Sequence, residues 1–138
     1  MTVIRPTNGD IRHSENSFFN FVKCISVLFN VLTLVTLINM LNNALHMYLR
    51  RGYDRCRSYT IMIHCILGIS LFVFGSYAAI IEHEANLIIF AVLSLIHMLV
   101  AIFLEEYLEI TVRTLVLYLL CAVMSYFEAY LWRCNVQK

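Results

Sequence analysis

Charge is scarce in this chain. Only 14% of its 138 residues are Asp, Glu, Lys or Arg, against about 25% in ordinary soluble domains, while 61% are hydrophobic. A chain this short cannot build an interior large enough to hide that much apolar surface from water. A soluble domain is excluded, and lipid has to act as solvent. Proline occurs once, at Pro6, and glycine only four times. None of the apolar stretches contains proline, whereas transporter sites are typically built on broken helices. The net charge of +1 provides no general attraction to nucleic acid. The five cysteines show neither metal-ligand spacing nor a Cys-x-x-Cys pair. No nucleophile–base pairing or metal box stands out, so nothing points to an enzyme or to a cofactor. There is no Asn-x-Ser/Thr sequon, internal repeat or low-complexity tract.

What is present is four apolar runs. Residues 24–49, 58–81 and 85–104 hold 26, 24 and 20 residues without a formal charge. A helix needs about 20 such residues to cross a hydrocarbon core of roughly 30 Å. The fourth run, 114–127, is only 14 residues long. Extended to 110–132 it spans, with Arg113 and Glu128 near its ends, where long side chains can snorkel. The first run does not read as a secretory signal peptide, because its apolar part is too long and no small-residue cleavage site ends it. Residues 1–17 read as a polar tail, and Phe18, Phe19 and Phe21 mark an amphipathic lead-in to the first span. The connections are short, which forces sequential antiparallel neighbours. The expectation is all-α: one domain over 1–138, a four-helix up-down transmembrane bundle in a plasma membrane or endomembrane. The first run, about 39 Å long as a helix, must tilt or project beyond the lipid.

Four spans place both termini on one face, with Arg5, Arg12, Lys23, Arg133 and Lys138. The other face holds Arg50, Arg51, Arg55 and Arg57, with Glu105, Glu106, Glu109 and Arg113. The positive-inside comparison is balanced; we take the termini as cytoplasmic, following the habit of even-span proteins. Clustered carboxylates can hold a divalent cation. No histidine stands three residues after any of these glutamates, however, so the di-metal bundle motif is missing. Neutralisation by the loop arginines is the expectation, with Glu109 and Arg113 paired at i,i+4. The acids of the hairpin Glu82-His83-Glu84 read as a solvated turn.

Inside the spans, polar groups are candidates for helix–helix contact. Ser26, Asn30 and Thr33 share one stripe of the first helix; Asn39, Asn42 and His46 lie on the opposite one. Gly68, and the pair Gly75 and Ala79, permit close backbone approach in the second span. Ala122, Ser125 and Ala129 do so in the fourth. Asn30 and Glu128 stand out, since an unsatisfied polar group in hydrocarbon costs several kcal/mol. We expect one to be satisfied within the monomer and the other across a boundary with a partner. His64 and His97 lie mid-span as single histidines, either bonded to a neighbouring helix or serving a proton or metal. Cys56, among arginines beside the membrane, suits S-palmitoylation. A Cys24–Cys134 disulfide is open if the terminal face is oxidising.

Phe21-Val22-Lys23 leading into the first span and Tyr48-Leu49-Arg50-Arg51-Gly52 leaving it resemble small arthropod four-span membrane proteins of the septate-junction type (Snakeskin- and pasiflora-like). The resemblance implies cytoplasmic termini and a role in junction assembly or membrane organisation. The sequence therefore points to a non-enzymatic tetraspan organiser or adaptor, acting through helix–helix contacts with itself or other membrane proteins. The alternative is a subunit of an oligomeric channel or transporter.

Overall fold

The computed structural model describes residues 8–50, 54–104 and 111–136, with side chains from Asn16 onward. It is all helix: α1 (Asn8–Leu49), α2 (Arg55–Ile81), α3 (Glu84–Phe103) and α4 (Val112–Val136). All four are long and apolar enough to cross a membrane, and the chain is a multi-pass four-helix bundle. Three begin and end close to the apolar runs. α1 instead starts at Asn8, inside the stretch expected to be a tail. Lack of charge marks what lipid tolerates, not where a helix stops. Between Gly9 and Gly52 there is no proline or glycine to break it. At about 1.5 Å per residue α1 is about 63 Å long and outruns the bilayer, whereas α3, at about 30 Å, matches it.

The helices form an antiparallel ring. α1 lies between α2 and α4, α3 lies between the same two, and almost nothing crosses the diagonals. The α1–α2 pair is tied at its loop end by Tyr48 and Tyr59, whose hydroxyls are 3.1 Å apart. Asp54 caps α2 by accepting the Cys56 N–H at 3.0 Å, which satisfies one of the four free donors of a helix start. At the other end α2 stops at Glu82, a left-handed residue (φ 59°) whose N–H reaches the Ala78 carbonyl. Glycine usually takes that position because a Cβ is strained there.

Small residues set the spacing in the core. Gly75 lies directly beneath the Phe90 ring, where an added Cβ would overlap it. Phe90 meets Phe72 edge-on, and Phe72 stacks on Tyr118, both with ring centroids 5.5 Å apart. Toward the terminal end, Ala78 and Ala79 of α2, Leu87 of α3 and Ala129 of α4 form a second buried cluster. Outside, the helices present Leu, Ile, Val and aromatic side chains, as a lipid-facing surface requires.

Candidate functional site

Two polar groupings occupy the interior. The first is a seam between α1 and α4. Ser26, Asn30 and Thr33 fall on one face of α1 by their spacing of four and three. Cys121, Ser125 and Glu128 do the same on α4. Thr33 Oγ1 meets Cys121 Sγ at 3.3 Å. The antiparallel register set by that contact carries Asn30 opposite Ser125 and Ser26 opposite Glu128. Ser26, Asn30, Ser125 and Glu128 are all fully buried. Both amide atoms of Asn30 and the hydroxyl of Ser125 lack a hydrogen-bond partner, and the Ser26 hydroxyl faces the Glu128 carboxyl group as its donor.

Just beyond the seam, the hairpin acids clamp the outer ends of the same two helices. Lys23 of α1 donates to Glu82 Oε1 at 2.6 Å and to the Ile80 carbonyl at 3.3 Å. Arg133 of α4 meets Glu84 at 2.5 Å. Lys23, at the outer end of α1, is thus bonded to Glu82, and Arg133, five residues beyond Glu128, to Glu84. Sequence spacing suggested a solvated turn for these acids. The available signal was topological: four antiparallel spans put the hairpin on the face that carries Lys23 and Arg133.

The chain matches no protein-family model, no characterised protein and no solved structure.

The second grouping lies toward the loop end, between α2, α3 and α4. His64 and His97, read from sequence as separate residues, are stacked with ring centroids 4.1 Å apart and planes 9° from parallel. Tyr118 Oη lies 3.4 Å from His64 Nε2. Ser94 donates its hydroxyl to the Tyr118 carbonyl at 3.2 Å. Gly68 makes room for this: a Cβ there would sit 2.8 Å from His97 Nε2 and 2.9 Å from Leu37 Cδ1. His97 Nε2 is buried without a partner. Stacked imidazoles direct their ring lone pairs along parallel planes rather than at one point, so they do not form a two-ligand metal site. Among the described residues no three His, Cys, Asp or Glu side chains come together as a metal site. The pair was legible in principle, since His64 and His97 lie at similar depth from the same face on adjacent antiparallel spans. Beside it a lipid-facing crevice of about 460 Å³ opens between α2 and α3. Thr60, His64 and Leu71 line one wall, and Leu93, His97 and Leu104 the other.

The helix-contact candidates Asn30, Glu128, Gly68, Gly75 and Ala79 all face the bundle interior. The expectation that Asn30 or Glu128 would reach outward to a partner is corrected: α1 and α4 turn both toward each other. The stripe that faces outward is Asn39, Asn42 and His46, joined by Asn43; all four are exposed. Cys56 is exposed in the first turn of α2, and no cysteine is disulfide-bonded, Cys24 and Cys134 included. Arg50 and Arg113 are exposed at the loop end. Their expected pairing with Glu105, Glu106 and Glu109, like the part assigned to Arg51, lies outside the described residues.

Proposed function

We propose that the chain is a non-enzymatic four-span membrane organiser that self-associates through the outer face of α1. The observation that carries this reading is the exposed stripe of Asn39, Asn42, Asn43 and His46. Asn39 lies ten residues, about 15 Å, from the end of α1 at Leu49, deep in a hydrocarbon core roughly 30 Å thick. Amides facing lipid there cost free energy until a second helix satisfies them. Asn carries both donor and acceptor, so the same stripe on a second copy complements it across a two-fold axis. With the junction-type resemblance, such association would organise a cell–cell contact membrane, with both termini in the cytoplasm.

The test is crosslinking in membranes through a cysteine placed at Ile38, in a chain whose native cysteines are replaced. The parent crosslinks as a dimer. Changing Asn39, Asn42 and Asn43 together to Leu abolishes the dimer without loss of folding. Equal crosslinking of both chains overturns the reading.

One observation favours a second reading, a channel or transporter subunit. Polar groups run in sequence from Glu128 through Asn30 and Thr33 to Tyr118 and His64, as proton and ion paths do. Ion flux in proteoliposomes that disappears with Glu128→Leu would place the function there.

A further inference from the structure

Several hydroxyls of the spans are satisfied by their own helix. Thr33, Thr36, Thr60, Ser70 and Ser76 each donate to the carbonyl four residues earlier, at 2.8–3.0 Å. That is how a hydroxyl inside a helix satisfies itself without neighbours. Ser26 and Ser125 do not, although both are fully buried. Their oxygens and Asn30 Oδ1 lie within about one turn of the two Glu128 oxygens, and of these groups only Ser26 turns its hydroxyl to the carboxyl group. The Asn30 amide nitrogen is also free, and a carboxylate is an acceptor it can bond. Five side-chain oxygens, two of them from one carboxyl group, thus share a buried interface where hydrocarbon surrounds the bundle.

We propose that Glu128, Asn30, Ser26 and Ser125 form a binding site for a small monovalent cation of the Na⁺ class. The donors are all oxygen, which suits hard cations rather than copper or zinc. A single carboxylate is neutralised by one positive charge. A divalent ion would leave net charge within the bilayer, where charge is expensive, and Mg²⁺ gives up its water reluctantly. Lys23 acts on Glu128 only from a distance, since its ammonium bonds Glu82, and Arg133 bonds Glu84. Among the described residues, Lys23 and Glu82, both at the terminal end, are the charged groups that act on Glu128. Glu128 lies five residues inside Arg133, about 7–8 Å along α4, so a hydrated ion at the terminal face has a short distance to travel along the seam.

The experiment uses the full chain in detergent micelles at constant pH and ionic strength, exchanging choline chloride for NaCl, LiCl or KCl. Na⁺ raises the unfolding temperature of the parent by several degrees over choline, and Glu128→Gln abolishes the difference. A hydrophobic carbodiimide, which attacks protonated carboxyl groups, labels Glu128 in choline, and Na⁺ slows the labelling at least tenfold in the parent. That second measurement needs no variant and does not depend on Glu128→Gln folding. Unfolding temperature and labelling rate that ignore Na⁺ overturn the proposal and assign the charge balance at Glu128 to a proton. Replacing Asn39, Asn42 and Asn43 by Leu leaves the Na⁺ effect intact, so the site and the α1 contact stand or fall separately.

Discussion

Along α1 and α4 the facing groups are mostly polar and non-aromatic: Ser26, Asn30 and Thr33 against Cys121, Ser125 and Glu128. Along α2 and α3 they are rings, His64 and Phe72 against Phe90 and His97. The first interface buries an acid, an amide and two serines, and leaves the amide of Asn30 and the hydroxyl of Ser125 unpartnered. The second satisfies part of its polarity through the Tyr118–His64 contact yet leaves a crevice of about 460 Å³ on its outer side. Small side chains let backbones approach and trap whatever polar groups lie between them. Rings need Gly68 and Gly75 beneath them, and they prop the helices apart beyond the glycines. Closeness and satisfaction are thus separate properties of a membrane interface.

The strongest way to break the contrast is to remove a prop. Phe90→Ala empties the centre of the ring-built interface and lowers stability by about 3–5 kcal/mol, read as detergent-resistant folding against SDS. The complementary change, Gly75→Ala, overfills the same place and costs about 1–3 kcal/mol. Combined with Phe90→Leu it recovers a good part of that loss, because the clash is with the ring itself. A double-mutant cycle that shows simple additivity would mean that the glycine matters for something other than the ring.

Smaller effects are expected from single hydrogen bonds and ion pairs. Tyr118→Phe removes the hydroxyl at His64 and should cost about 1 kcal/mol, with circular dichroism unchanged. The ion pairs at the terminal end are partly exposed, so Lys23→Met should cost at most about 1 kcal/mol. Half of the residual effect should disappear on raising salt, since exposed pairs are screened. If Lys23→Met proved as costly as Phe90→Ala, the clamp rather than the core would hold α1 in the bundle.

The spans were legible because the thickness of hydrocarbon sets a length that an uncharged run either meets or does not. The inward stripe was half legible. Spacing alone gave α1 two polar faces of equal standing, Ser26–Asn30–Thr33 and Asn39–Asn42–His46. Only the α4 stripe of Cys121, Ser125 and Glu128 distinguishes them, and that is a relation between residues about ninety positions apart. The His64–His97 stack and the hairpin clamps were missed for the same reason. Each is a pairwise fact about helix ends or depths, whereas each residue taken singly has an ordinary explanation. The helical start at Asn8 was missed because charge was read as a boundary, although nothing in the backbone chemistry ends a helix there.

The α1–α4 seam also sets an order of events during synthesis. Asn30 is made 95 residues before Ser125, its counterpart across the seam. At roughly 5–20 residues per second, the amide waits on the order of 5–20 s inside the membrane before α4 exists. Over that interval α1 is an apolar helix with polar groups on two faces and neither one covered. It must be held by the insertion machinery, by a companion helix or by a second nascent copy. Only when the last quarter of the chain leaves the ribosome can the first quarter settle. A chain cut short within α4 would therefore be a substrate for membrane quality control even with three complete spans.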